Sequence, residues 1–362
     1  MKGLFVSSLL LGTSFALPTA EANTDTVEVS LSNISPIFND PKLSTRAVCG
    51  KMEGKSFADP TLIYGEGSWK AYGTSNGQII PYATAQDGFN FTYSGDALKG
   101  RPSWVSTTNR ALWAPDVVKL EDGSYVIYFS GVHKDGKRCI GAATSKTSAG
   151  GFEPYEKALV CDHENGGVID PAGFFDGKDR WLTWKVDGNG LGGATTCKGS
   201  SAPTGPKYKP TPLKVQKMTS DGLSVVGEPT TIWDNRDNNP NAPKKFASGE
   251  TYDDDGVTEN PALYKSAEGK FFLFYSSHCY ANSKYHTEYA YADAVTGPFK
   301  WGGVLIATGS NNNKKYKAIG PGGFDIDPNG KNVVFHGRQG SSTASRITFS
   351  GTVEIKGTKV TL

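Results

Sequence analysis

The chain has 362 residues, enough for a large single core, and Lys+Arg 38 nearly balances Asp+Glu 36, with no like-charge run that would suit a nucleic-acid partner. Glycine (44) and proline (20) are abundant, which favours many turns and short strands over long helices.

Residues 1–22 read as a secretion signal: Lys2 starts it, Leu4 to Leu17 is mostly apolar, and Ala16, Ala20 and Ala22 offer small cleavage residues. A membrane anchor would need about 20 apolar residues, and Ser7, Ser8, Thr13 and Ser14 interrupt this run. Export to the extracellular space is therefore expected, with no membrane partner. Residues 23–45 form a polar leader, or a segment that closes a ring through Val27–Leu31. The remainder, 46–362, reads as one domain.

That domain repeats a phrase made of a proline, an apolar run, a turn and a second apolar run. The copies begin at Phe57 (FADPTLIYGEGSWKAY), Trp113 (WAPDVVKLEDGSYVIYF), Val168 (VIDPAGFFDGKDRWLTWK), Thr258 (TENPALYKSAEGKFFLFY) and Gly320 (GPGGFDIDPNGKNVVFH). Their prolines, Pro60, Pro115, Pro171, Pro261 and Pro321, stand 55, 56, 90 and 60 residues apart. Each unit is a strand–turn–strand that cannot bury its own faces, which is the signature of a radial or stacked repeat. The units cover about 55–100, 104–161, 167–234, 258–307 and 316–362, and polar stretches at 187–212 and 234–255 read as long loops. No helical apolar period competes. The fold class expected is all-β, a five-bladed β-propeller, in which the innermost strands face a common axis.

Asp59, Asp170 and Glu259 precede the repeat proline by one or two residues in units one, three and four. On a propeller such positions converge, and three neighbouring carboxylates separate in pKa, the arrangement that base and acid catalysis at one pH requires. An isolated acid before proline more often just starts a turn; three at matching places of a repeat point to a site. Trp113, before Ala-Pro-Asp of unit two, and Trp184 are candidates for stacking on a sugar face.

Among five cysteines there is no paired C-x-x-C spacing, so no metal site is expected from them. Cys139 and Cys161 flank one excursion and are the preferred disulfide; pairing among Cys49, Cys197 and Cys279 stays open. Asn33 and Asn90 head glycosylation sequons. Asp325-x-Asp327-x-Asn329-Gly330 resembles the start of a calcium loop, but Pro328 and His336 at the twelfth place make it a hairpin turn.

Taken in order from Lys55 to Arg338, these phrases resemble the blade motifs of glycoside hydrolase family 43, inverting enzymes that act on arabinofuranosides and xylosides. The resemblance implies Asp59 as general base, Glu259 as general acid, and Asp170 as the carboxyl that tunes and orients the acid. Gly323 stands where many members carry His; His336 is then the histidine expected to reach the channel, and Arg338 the arginine expected to grip a sugar hydroxyl. The implied partner is an oligo- or polysaccharide such as arabinan or arabinoxylan, acted on by a monomer. No cofactor is required, although a central calcium or sodium ion is a family-level expectation. The activity implied first is α-L-arabinofuranosidase, with β-xylosidase and endo-arabinanase as neighbours within the family and a non-catalytic sugar-binding propeller as the reading of another class.

Overall fold

The structure, a computed structural model, describes residues 56–191, 209–238 and 257–362. The signal, the leader, Cys49, Cys197 and the sequon at Asn33 lie outside the described residues.

The repeat phrases become blades. Blade one is β1 (Thr61–Gly65), β2 (Ser68–Tyr72), β3 (Pro81–Ala85) and β4 (Thr92–Asp96), paired in that order. Blade two is β5 (Leu112–Lys119), β6 (Tyr125–Val132), β7 (Arg138–Ser145) and β8 (Glu153–Pro154), with β9 (Val160–Cys161) also on β7. Blade three is β10 (Val168–Phe175), β11 (Arg180–Val186), β12 (Leu213–Met218) and β13 (Val225–Trp233). Blade four is β14 (Thr258–Lys265), β15 (Phe271–Ser277), β16 (His286–Ala292) and β17 (Lys300–Ile306). Blade five is β18 (Ile319–Ile326), β19 (Asn332–Arg338) and β20 (Ile347–Thr352), followed by the hairpin β21 (Glu354–Lys356) and β22 (Lys359–Thr361). All pairings within blades are antiparallel. The first strands neighbour one another in the order β1, β5, β10, β14, β18 and back to β1, which closes a five-bladed propeller.

Local sequence explains the blades. β-branched and aromatic residues fill the strands, and the first hairpin of every blade turns on a glycine in the left-handed region: Gly67, Gly123, Gly177, Gly269 and Gly330 (φ +70° to +94°). The hairpin at Gly330 is the calcium-like sequence, and Asp327 Oδ1 accepts the Lys331 and Asn332 N–H groups within it. Between blades the sheets bury aromatic layers. Phe129, Tyr72 and Phe152 lie between blades one and two, Trp233 and Tyr275 between three and four, and Phe274, Phe324 and Phe335 between four and five. Each such side chain contributes about 1.5–3 kcal/mol by leaving water.

Among the described residues, single bonds join blades five and one. Phe57 N–H donates to Arg346 O at 3.0 Å, and Thr348 Oγ1 donates to Phe57 O at 2.6 Å. Cys139 and Cys161 face each other across the β7–β9 pair and form a disulfide. Cys279 is disulfide-bonded as well.

Candidate active site

Each blade's first strand is kinked at the same place. Asp59, Ala114, Asp170, Asn260 and Gly323 all have positive φ, from 43° to 57°. The register slips there between Trp113 and Asp116, Ile169 and Ala172, Glu259 and Ala262, and Gly322 and Asp325. A bulge of this kind re-aims side chains, and a non-glycine residue held left-handed costs about 1–3 kcal/mol. The residue after the kink is proline in four blades, but Phe324 in blade five. Pro321 is thus not the fifth repeat proline: the equivalence slips by three residues, because Gly323 takes the left-handed conformation without help from a following ring. These kinked residues and the two after each line the channel mouth.

The mouth holds the three expected carboxyls. Asp170 senses the charges of both Glu259 and Asp59, and a chain of contacts links them. Asp170 Oδ2 accepts Asn260 N–H at 3.0 Å, Asn260 Oδ1 accepts the Tyr285 hydroxyl at 2.9 Å, Tyr285 stacks on His336, and His336 Nδ1 accepts Asp59 N–H at 3.0 Å.

Their surroundings differ. Asp59 Oδ1 accepts Arg346 Nη1–H at 3.0 Å and Oδ2 accepts the Thr74 hydroxyl at 2.6 Å, the pattern of an ionised carboxylate. Glu259 Oε2 is 2.9 Å from Lys185 Nζ, which is 1 % exposed and has Asp187 at 3.7 Å as its second acid. Among the described residues Asp170 makes no ion pair, and Lys185 acts on it only from a distance. Burial, and then the Glu259 charge, push it up to about 8, so it holds a proton at neutral pH. The lysine stands at Glu259, and the carboxyl that burial pushes up is Asp170.

A second acidic pair lines the same channel. Thr61 Oγ1 lies 2.9 Å from both Asp116 Oδ1 and Asp325 Oδ2, while Gly173 N–H and Leu62 N–H donate to the same two carboxyls. One hydroxyl has one hydrogen, so a carboxyl must donate back. Burial accordingly raises Asp116 to about 6, and burial together with the Asp116 charge raises Asp325 to about 8. These oxygens have the hardness that calcium or sodium would require. His336 does not suit such an ion: its Nδ1 is an acceptor, and burial pushes its pKa well down, so Nε2 carries the hydrogen and is a donor.

The family model for glycosyl hydrolases family 43 matches residues 54–358. The chain belongs to this family. Among its relatives are the Humicola insolens xylosidase/arabinosidase 43A, 28% identical over 56% of this chain and 60% of that protein, and a probable arabinan endo-1,5-α-L-arabinosidase A of Aspergillus oryzae, 30% identical over 35% of this chain and 40% of that one. The chain spans about half the length of the curated relatives it matches. A crystal structure of a thermostable family-43 glycoside hydrolase shares the fold, with a TM-score of 0.65 at 19% identity, covering 88% of this chain and 95% of that one.

Within this family-43 chain the other expected site residues fare unequally. Trp113 is 39 % exposed, beside the blade-two kink, with the Arg138 guanidinium 3.2 Å from its ring centroid. Burial lowers Arg138 to about 10. Trp184 is not a sugar contact. It is 2 % exposed and packs with Val126, Tyr128, Ile140 and Leu182 between blades two and three. Strand alternation is the reason: if Lys185 faces Glu259, its neighbour must face away. His336 reaches the site fully buried, where its Nδ1 accepts Asp59 N–H and lies 3.4 Å from Asp59 Oδ1. Arg338 is buried and donates to Tyr280 O at 2.9 Å. The arginine beside Asp59 is Arg346, just before β20, which also lies over the Tyr280 ring. Sequence reasoning missed it because no motif surrounds it. Lys185 was within a quoted phrase, and period-two alternation with Trp184 was the signal that could have found it.

Proposed function

We propose that the protein is an inverting glycoside hydrolase that releases L-arabinofuranose from arabinan or arabinoxylan. One observation carries the reading: three carboxyls remote in sequence share one mouth, and each has a different partner, Asp59 two donors, Glu259 a lysine, Asp170 a proton. Asp59 takes a proton from a water on one face of the sugar, and Glu259 gives one to the departing oxygen on the other. Asp170, held protonated by burial and by the Glu259 charge, tunes the acid through that same charge coupling. Arg346 and Thr74 fix the oxygens of Asp59, and His336 fixes its backbone. Trp113 offers an aromatic face at the rim.

The pentose reading is supported by the relatives, a xylosidase/arabinosidase and a probable arabinan endo-1,5-α-L-arabinosidase. Xylosidase and endo-arabinanase action would use the same trio. No cofactor is needed for the proton transfers; a calcium or sodium ion would find its donors at Asp116, Asp325 and Thr61. The reading includes export, supported by the pattern of residues 1–22 and by the Cys139–Cys161 disulfide, a bond that persists in oxidising compartments. No helix among the described residues is long and apolar enough to cross a membrane.

The test is product stereochemistry: proton NMR early in hydrolysis is expected to show the inverted anomer, and net retention would remove the water-activating role of Asp59. A panel of 4-nitrophenyl arabinofuranoside, 4-nitrophenyl xyloside and linear arabinan separates the three activities. Binding to these sugars without cleavage of any would instead make the propeller a sugar-binding module.

A further inference from the structure

Two imidazoles and a carboxylate that take no part in the site above meet on blade two. Asp135 Oδ2 lies 3.0 Å from His133 Nδ1 and 2.9 Å from His163 Nδ1. The three donor atoms lie within 4.8 Å of one another. His133 Nδ1 is buried and, despite the nearby carboxylate, makes no hydrogen bond of acceptable geometry. A nitrogen lone pair and a carboxylate oxygen that approach without a well-formed hydrogen bond are what a shared cation would satisfy.

Each ligand is held from behind. His133 opens the turn between β6 and β7, where its N–H donates to Lys137 O at 2.7 Å and its ring stacks on Trp104 with centroids 6.1 Å apart. The other oxygen of Asp135, Oδ1, accepts Lys137 N–H at 3.1 Å, leaving Oδ2 free to turn toward the rings. His163 follows the disulfide-bonded Cys161 by two residues, and its Nε2 lies 3.3 Å from Cys139 Sγ. The disulfide therefore clamps the His163 loop onto the strand that begins one residue after the turn ends.

We propose that His133, Asp135 and His163 bind a divalent transition-metal ion of the zinc class. Imidazole nitrogens with one carboxylate suit zinc, nickel, copper or cobalt and do not suit calcium or magnesium, which prefer all-oxygen shells. Zinc bonds of about 2.0–2.2 Å in tetrahedral geometry need donors somewhat over 3 Å apart. The two histidine–carboxylate spacings reach that by opening a few tenths of an ångström, the two imidazole nitrogens lie within 4.8 Å of each other, and the fourth position is left to water. The site adjoins Arg138, whose guanidinium covers Trp113, so a bound ion stiffens the rim of the sugar cleft without touching the three carboxyls.

The full chain, oxidised and without a histidine tag, is titrated with zinc chloride by calorimetry and with cobalt(II) by visible absorption. One ion per chain is expected, with cobalt bands of low-coordinate geometry and a rise in Tm on adding zinc. His163→Ala and Asp135→Asn are each expected to weaken binding at least tenfold and to abolish the Tm rise. Both side chains are 40 % exposed, so these variants retain the fold, checked by unchanged zinc-free activity. No binding at millimolar zinc, or binding that survives His133→Ala combined with His163→Ala, overturns the assignment.

Discussion

Replacing Glu259 by Gln keeps the side chain's shape, removes its charge, and strands a buried lysine. Lys185 is 1 % exposed, with Glu259 at 2.9 Å and Asp187 at 3.7 Å. At an effective dielectric constant of 20 the closer contact represents about 6 kcal/mol of Coulomb attraction, most of it offset by desolvation, and losing one partner of a buried pair costs about 3–5 kcal/mol. Asp187 takes up part of the stranded charge, so a loss of about 2–3 kcal/mol is expected, or roughly 5 °C in Tm. Asp170 makes this loss depend on pH. Its pKa is raised in the folded enzyme, first by burial and then by Glu259, so its proton stabilises the fold at low pH and that contribution is lost as pH climbs to about 8. Without the glutamate charge Asp170 ionises at lower pH and pairs with Lys185. The variant's deficit is therefore larger at pH about 6 than at about 8.5. Differential scanning calorimetry of Glu259→Gln, Lys185→Met and the double variant measures this, beside hydrolysis of a substrate with a poor leaving group, where losing a general acid costs about 10²–10⁴-fold. The double variant is expected to be more stable than Glu259→Gln alone. If Glu259→Gln melts with the wild type, or the double variant is worse, Lys185 is not the charged partner of the acid; if activity survives, Glu259 is not the acid.

Arg346→Met removes the cation from Asp59 while leaving the Arg346 carbonyl that accepts Phe57 N–H. A charge-assisted bond of about 2 kcal/mol predicts a roughly thirtyfold fall in kcat/KM with little change in Tm; unchanged steady-state kinetics would dismiss the contact. The raised pKa values of Asp325 (about 8) and Asp116 (about 6) mean that the folded chain binds more protons than the unfolded one, so this pair stabilises most at low pH and progressively less as pH rises through 6 to 8. Asp325→Asn, which mimics the protonated acid, is expected to flatten that part of the Tm profile, and an unaltered slope would place the proton elsewhere. Trp184→Leu should cost about 3 kcal/mol of stability by leaving a cavity and leave KM alone; a raised KM at constant Tm would return Trp184 to the sugar site.

The ring and its three carboxyl positions were legible because they belong to a local phrase: a proline one or two steps after an acid, then apolar residues and a glycine turn. Blade five shows the limit. Gly320, Gly322 and Gly323 all permit unusual backbone, and the eye settles on Pro321, whereas the structure kinks at Gly323. Asp116 and Asp325 were in plain view in Ala-Pro-Asp and Phe-Asp-Ile, yet nothing local reveals that Thr61 lies between them. Arg346 and His336 reach Asp59 across 287 and 277 residues of chain, separations at which only folding makes neighbours. Trp184 and Lys185 were adjacent letters, and composition favoured the aromatic one.

The closing bond at Phe57 lies two residues from Asp59, and the residue that accepts it also supplies the guanidinium on that carboxylate. The first and last blades thus cannot part at this junction, even briefly, without disturbing Asp59. On heating, enzymatic turnover should consequently fade before the strand signal in circular dichroism does, and reversibly so. Loss of activity then becomes a sensor of the hoop opening, and any tether across that junction would harden catalysis against heat more than it hardens the sheets.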